Sequence, residues 1–176
     1  LIGGNEAFVT KLNQQFELAS QDNFISKHGE HAHNWIDYEN QPSLHMAHLF
    51  SDAGAPWLTQ YWVRRIKKEV FGDITPFGGY NGDEDQGQMG ALGVLMAIGL
   101  FDVQGGASTT PQYEITSPIF DKITIQLDNR YYPGKEVVIE TVNNSPKNVY
   151  IQRVSWNGVE HSSFQLAHEE LVKGGH

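Results

Sequence analysis

The first hundred residues place apolar side chains at helical intervals. Between Glu6 and Leu18 an apolar residue recurs about every third or fourth position, which predicts an amphipathic helix. A second helical segment is predicted to open at Gln41-Pro42-Ser43, because proline suits the first turn of a helix. A third is predicted to start at Pro56 and to end at Gly72, with its Lys and Arg residues on the outer face.

The fourth segment, from Gln86 to Phe101, is apolar at almost every position and carries no charge. A helix with apolar residues on nearly every side is expected to be buried on nearly every side. Because only three other clear helical segments precede it, we expect this helix to need neighbours from outside the sequence. Leu1 is not a start methionine, and the last residues, Lys173 to His176, are turn-like. We therefore interpret the sequence as a piece of a longer chain.

The pattern changes near Gly105, beyond which β-branched and alternating segments indicate strands. Asn157-Gly158 is a strong signal for a tight hairpin turn. The sequence predicts an α+β arrangement: a helical unit at residues 1–104, a linker at 105–112, and a small antiparallel β region at 113–176. The predicted strands are Tyr113–Thr116, Lys122–Leu127, Glu136–Val142 and Asn148–Trp156.

Composition and net charge exclude several classes of partner and site. The 176 residues include 12 Lys and Arg against 21 Asp and Glu, which gives a formal net charge of −9. This charge argues against nucleic acid and against an anionic membrane surface as partners. The chain has no cysteine, which excludes disulfides, zinc–thiolate sites and cysteine nucleophiles.

The densest candidate feature is a run of three carboxylates, Asp83, Glu84 and Asp85, just before the fourth helix. Asp85 is predicted to cap that helix, with Gln88 completing a capping box. Three adjacent carboxylates repel one another unless a cation or a proton sits among them. Helix capping and a catalytic or metal-binding role both remain open from the pattern alone.

An EF-hand calcium loop beginning at Asn81 is excluded by two positions. The motif requires glycine at its sixth place and glutamate at its twelfth, which are Gln86 and Leu92 here.

Two further polar clusters lie upstream. His28, His31 and His33 fall within six residues, but the zinc-protease spacing is not met. His31 and His33 could share a strand face and bind a metal, and the alternative is a polar loop that contacts substrate. The stretch from Trp35 to His45 mixes aromatic rings with carboxylates and amides. That mixture is typical of a sugar-binding wall and also of an ordinary surface loop.

Several motifs together resemble the C-terminal part of glycoside hydrolase family 92, the calcium-dependent, inverting exo-α-mannosidases. The resemblance runs in order along essentially the whole chain. It is carried by Asn40-Gln41-Pro42-Ser43-Leu44-His45, Ala55-Pro56-Trp57-Leu58-Thr59-Gln60, Gly82-Asp83-Glu84-Asp85-Gln86-Gly87-Gln88-Met89, Ala97-Ile98-Gly99-Leu100-Phe101, Tyr113–Lys122, Tyr150-Ile151-Gln152, Trp156-Asn157-Gly158 and His168–Gly175.

The resemblance implies a larger two-domain enzyme with an N-terminal β-sandwich and a C-terminal (α/α)6 barrel. The helical half of this chain would supply the last helices of the barrel, and residues 113–176 the β region that follows. The implied partners are a mannose-containing glycan and the rest of the same enzyme, with no nucleic acid and no membrane. Many members of the family are abundant in gut Bacteroidetes. The resemblance therefore implies a periplasmic or extracellular location.

The resemblance also assigns roles to individual residues. Asp85, assisted by Asp83, would be the general base that activates water. Calcium would be held by Asp85, Asn40 and Gln41. Substrate contacts would come from Glu84, Trp35, His45, Asn40 and Gln41. The general acid would lie outside this chain, so we expect the isolated chain to be inactive.

Two departures from the family pattern bear on specificity. Gly90-Ala91-Leu92 stands where members often have Ser and Trp, and Asn40-Gln41-Pro42 stands where many have Asn-Glu-Pro. The neighbouring sugar contacts are therefore expected to differ from the family pattern, and these positions are where a departure from α-1,2, the linkage of the commonest members and the one expected here, would arise. The alternatives to an enzyme are a non-catalytic carbohydrate-binding module that keeps the calcium and mannose site, and a structural calcium protein.

Overall fold

The computed structural model describes residues 2–25, 36–76, 78–79 and 85–176. Short 3-10 turns occupy Ser20–Asp22, Gln41–Ser43 and Met46–His48. The α-helices are α1 Asn5–Ala19, α2 Leu49–Asp52, α3 Pro56–Glu69, α4 Gln88–Ile98 and α5 His168–Leu171. The strands are β1 Leu100–Phe101, β2 Gln112–Ile115, β3 Lys122–Gln126, β4 Glu136–Glu140, β5 Val154–Trp156, β6 Val159–His161 and β7 Gln165–Ala167.

The strands form three small antiparallel sheets. β2 lies in the centre of a three-stranded sheet, between β1 and β7. β3 pairs with β4, and β5 pairs with β6. The predicted turn at Asn157-Gly158 is confirmed: Trp156 pairs with Val159, and both turn residues have positive φ. A two-residue turn of this kind matches the twist of the strands that it joins.

The helical part has its own core of aromatic rings. Phe16 is fully buried and lies 5.2 Å from the Trp62 ring and 5.4 Å from the Phe50 ring, measured between centroids. Phe24 packs edge-on against Trp62 at 5.9 Å. Burial of such large rings stabilises this half. A separate core in the β part is formed by Leu100, Val137, Leu166 and Leu171.

Side chains of α3 join the two cores. Arg64 donates to the carbonyl oxygen of Pro118, to Asn144 Oδ1 at 3.1 Å and to the carbonyl oxygen of Ser145 at 2.8 Å. One turn earlier, Gln60 Oε1 accepts from the backbone N–H of Ile151 at 2.9 Å. These bonds hold the loops of the β part against the helical part.

Gly99 makes the turn from α4 into β1. Its φ is +78°, and a Cβ atom there would lie 2.8 Å from the Thr116 carbonyl oxygen. Any other residue would therefore push β1 away from the chain that follows β2.

The first and third helix predictions are confirmed to within a few residues. The second is wrong in type: the segment from Gln41 forms 3-10 turns, followed by a single α-helical turn, Leu49–Asp52. The strand predicted over Asn148–Trp156 begins only at Val154, because Ile151 bonds to the Gln60 side chain instead of to a neighbouring strand.

Within this chain the apolar helix is buried along one side, and burial of its other side would need the neighbours expected from outside the sequence. Met89, Leu92 and Met96 of α4 are buried against the helical core, whereas Val94 is 60 % exposed. The predicted segment also ends early, because its last residues leave the helix at Gly99 and form β1.

Candidate functional site

Asp85 lies at the start of a backbone turn of unusual geometry. Asp85 and Gln86 have φ values of 51° and 62°, and Gly87 has a φ of 91°. Left-handed backbone is unfavourable for residues with a Cβ atom, and it persists only where the surrounding structure enforces it. The capping prediction is wrong, because Gly87 is the N-cap of α4 and no side chain caps that end.

The Asp85 carboxylate is half-buried and poorly satisfied. Its Oδ2 atom is closed to solvent and has no hydrogen-bond partner in the part of the chain that the structure describes. A buried carboxylate oxygen without a partner costs free energy. Backbone strain and an unsatisfied charged group at one residue favour a functional role for Asp85, since neither helps the fold.

The Asn40 loop is held by side-chain bonds to the backbone. Asn40 Oδ1 accepts from the N–H of Gln41 at 2.7 Å and so caps the 3-10 turn Gln41–Ser43. Ser43 is buried, and its Oγ accepts from the N–H of Asp37 at 3.0 Å. The Gln41 and His45 side chains are exposed and point away from the core. The loop therefore presents polar groups on a fixed backbone.

Beneath this loop, Tyr38 is fully buried against Phe24, with ring centroids 6.3 Å apart. Burial raises the pKa of the Tyr38 hydroxyl above its usual value, so the hydroxyl stays neutral. This buried ring anchors the chain just before the Asn40 loop.

Several predicted site residues lie outside the described residues: Asp83, Glu84, Trp35, His28, His31 and His33. Within the described ranges, no group of three or more His, Asp or Glu side chains is placed to hold a metal ion. The roles of Asp85, Asn40, Gln41 and His45 thus stay predictions.

Sequence reasoning missed a buried polar pair. His48 Nδ1 lies 2.5 Å from Glu114 Oε2, and the two side chains are 1 % and 5 % exposed. The His48 ring also stacks on Phe101, with centroids 3.8 Å apart and an interplanar angle of 8°. The sequence carried no signal for this pair, because alternation in the predicted strand Tyr113–Thr116 places the apolar Tyr113 and Ile115, and not Glu114, toward the β core.

The chain is similar to members of one known protein family. The model of the glycosyl hydrolase family 92 catalytic domain matches residues 1–176. An uncharacterized secreted glycosidase from Arthroderma benhamiae is 30% identical over 177 residues, which cover 99% of this chain and 20% of the relative.

Solved structures agree with the sequence match. A family 92 α-mannosidase from Bacteroides thetaiotaomicron in complex with mannoimidazole superposes with a TM-score of 0.81 at 28% identity, over 98% of this chain and 22% of that one. A family 92 inverting mannosidase from the same organism gives 0.74 at 29%, over 99% of this chain and 24% of that one.

These matches show that the chain is part of a glycoside hydrolase catalytic domain. The chain belongs to glycosyl hydrolase family 92. It spans about a fifth to a quarter of the length of the relatives that it matches. Across the described ranges, no helix combines the length and apolar character that crossing a membrane requires.

Proposed function

We propose that the chain is the C-terminal part of an inverting, calcium-dependent exo-α-mannosidase that removes terminal α-linked mannose, with α-1,2 linkages as the first candidates. Asp85 carries the proposal, because its strained backbone and unsatisfied carboxylate coincide with the position that matches the family's general base. Family membership and the two mannosidase structures support it.

In this proposal Asp85 takes a proton from water as the water oxygen attacks the anomeric carbon of the terminal mannose. The bond to the leaving oxygen breaks, and a general acid protonates that oxygen. The product is β-mannose, because water attacks from the face opposite the leaving group. The two carboxyl groups of such a pair stand about 6.5–9.5 Å apart to admit the water. Asp83 would assist Asp85, and the general acid would come from outside this chain.

Calcium fits the Asp85 side chain. Calcium binds carboxylate, amide and backbone oxygens, and the Oδ2 atom of Asp85 is a buried carboxylate oxygen without a partner in the described chain. Asn40 Oδ1 already accepts from Gln41 and keeps one lone pair, while the Gln41 side chain is exposed and free to turn. When bound, the ion would hold sugar hydroxyls and favour a distorted ring. Asp85, Asn40 and Gln41 are its proposed ligands.

The helices would complete an (α/α)6 barrel together with the remainder of the enzyme, and the N-terminal β-sandwich would close the site. Glu84, Trp35 and His45 would contact the glycan. A periplasmic or extracellular location agrees with the secreted fungal relative.

The test compares Asp85→Ala with the unchanged enzyme, in the full-length protein that contains this chain. We expect hydrolysis of an α-1,2-mannobiose to fall by roughly three orders of magnitude or more, since general-base catalysis and positioning are both lost. Azide needs no base, so it should restore turnover of an activated aryl α-mannoside and give β-mannosyl azide. Asp121→Ala, an exposed carboxylate just before β3, is the matched control and should retain activity.

Proton NMR of the first product should show β-mannose, and chelation of calcium should remove activity. Retained activity in Asp85→Ala would disprove the base assignment. Calcium-dependent mannose binding without hydrolysis by the full-length protein would instead identify a carbohydrate-binding module. The 176-residue chain alone is expected to hydrolyse nothing.

A further inference from the structure

A polar cavity of about 220 Å³ lies between the three-stranded sheet and the end of α2. Phe101 pairs with Glu114 across β1 and β2, and Glu114 pairs with Gln165 across β2 and β7. Directly paired residues point to the same side of a sheet, so these three side chains form one row on the cavity floor. Asp52 lines the opposite wall. The described lining residues include none of those proposed for the mannosidase reaction.

The cavity floor is rigid. His48 Nδ1 holds Glu114 Oε2 at 2.5 Å, and the His48 ring stacks on Phe101, so two of the three floor residues are fixed by one buried side chain. The other carboxylate oxygen, Glu114 Oε1, has no hydrogen-bond partner within the described ranges. That oxygen is also closed to solvent, so it is an unsatisfied buried acceptor beneath the cavity floor.

The charges of the lining select against anions. Asp52, Asp102 and Glu114 line the cavity, and the described lining residues include neither Lys nor Arg. Like charges repel strongly in a partly enclosed site, so phosphate or carboxylate groups are disfavoured.

A metal cation is disfavoured because both oxygens of Asp102 and one oxygen of Glu114 are already engaged. The two oxygens of Asp102 accept from the N–H groups of Gln104 at 2.9 Å and Gly106 at 2.8 Å. Glu114 Oε2 is taken by His48. A divalent ion needs several free oxygens at one point, and the described residues form no such cluster. The lining therefore suits neither anions nor divalent metal ions.

The geometry points to a second carbohydrate site: this cavity binds a neutral, hydroxyl-rich ligand the size of one pyranose ring. Carboxylates and the amide side chains of Gln112 and Gln165 match hydroxyl groups, which both donate and accept hydrogen bonds. Phe101 supplies an apolar wall for the C–H surface of a sugar. The volume of about 220 Å³ is on the scale of a single sugar ring.

The experiment is an NMR titration of the full 176-residue chain with methyl α-D-mannopyranoside and with methyl α-D-glucopyranoside. We expect saturable shifts at the amides of Gly106, Gln112 and Gln165, with a dissociation constant on the order of millimolar. Ser108→Trp should fill the cavity and weaken binding at least about tenfold. Ser155→Trp, on the exposed side of β5, is the matched control and should bind as the unchanged chain does.

Should Ser108→Trp fail to fold, Gln165→Ala tests the same floor residue with a smaller change, and its affinity should also fall. The Asp85→Ala chain should keep the same shifts, which separates this site from the proposed catalytic function. Absence of saturable shifts at these amides up to about 100 mM sugar would overturn the proposal. So would stronger perturbation of the same amides by calcium chloride than by either sugar.

Discussion

His48 and Glu114 are 66 positions apart in the sequence, yet their side chains meet at 2.5 Å inside the protein. His48 belongs to the 3-10 turn that leads into α2, and Glu114 lies in the centre of the three-stranded sheet. This pair therefore ties the helical part to the sheet through a polar contact in a dry environment, where such contacts are strongest and their loss is most costly.

Removing one partner of the pair should destabilise the fold strongly. Glu114→Ala leaves His48 buried without its acceptor, and we expect a loss of about 3–5 kcal/mol in the free energy of unfolding. Urea denaturation followed by tryptophan fluorescence measures it. The matched control is Lys122→Ala, which breaks the exposed pair with Glu140 at the same distance of 2.5 Å. That change should leave the unfolding midpoint almost unchanged; equal losses in the two variants would contradict the prediction.

The contact between α3 and the loops of the β part should depend on Arg64. Its guanidinium donates to three acceptors, two of them backbone carbonyls, with no carboxylate among those partners. Burial lowers the pKa of Arg64, which reflects its removal from water. Arg64→Ala should cost about 2–3 kcal/mol, since hydrogen bonds from a charged group are lost and carbonyls are left unpaired.

Hydrogen exchange gives the local readout for Arg64→Ala. We expect faster exchange of the Ile151 amide, because the segment that bonds to Gln60 is held by the same helix face. Lys68→Ala, an exposed cation on the same helix, is the control and should leave that amide protected. Unchanged protection of Ile151 in Arg64→Ala would show that Gln60 alone holds the loop.

We expect Asp85 to lower the free energy of unfolding. Asp85→Gly removes both the unfavourable φ of 51° and the unsatisfied carboxylate, so we expect a gain of about 1 kcal/mol. Asn143→Gly, at an exposed position with a φ of 60°, is the control and should gain less, because asparagine tolerates this backbone better. Thermal unfolding monitors both variants. A loss of stability in Asp85→Gly would mean that the carboxylate supports the fold, which would remove the argument for a functional role.

Local patterns predicted those parts of the fold that local physics determines. The helix Asn5–Ala19 and the hairpin at Asn157-Gly158 follow from periodicity and turn chemistry, and both are present. The outer face of α3 was harder to predict: Trp57 lies near the apolar stripe of the sequence but is 53 % exposed. A helical wheel does not reveal which neighbour will cover a given turn.

The candidate site likewise has features that the sequence reveals and features that it does not. The acidic character of the loop at Asp85 is visible in the sequence, whereas the left-handed backbone of Asp85 and Gln86 is not, because successive residues with a Cβ atom rarely adopt positive φ. The His48–Glu114 pair and the cavity above it could not be predicted, since they depend on register between β1, β2 and β7 and on contacts across many residues.

The contact between Glu140 and His176, the last residue of the chain, should weaken in acid. Lys122 first, and His176 to a lesser degree, hold the pKa of Glu140 below its ordinary value of 4.5. His176 Nε2 lies 3.0 Å from Glu140 Oε2, and the His176 carbonyl oxygen accepts from the N–H of Asn157. A carboxyl whose pKa is depressed by folding stabilises the fold above its unfolded pKa, and that contribution is lost as the pH falls through the folded pKa.

The difference in stability between the unchanged chain and Glu140→Gln should therefore be present at neutral pH and should shrink as the pH falls below about 4.5. Urea titrations at a series of pH values measure it, and the contribution should be small because the pair is exposed. Glu136→Gln, on the same strand and without a resolved cation partner, serves as the control and should show a flatter profile. A difference that grows on acidification would reverse the sign and refute the role of Lys122 and His176 in holding Glu140 ionised.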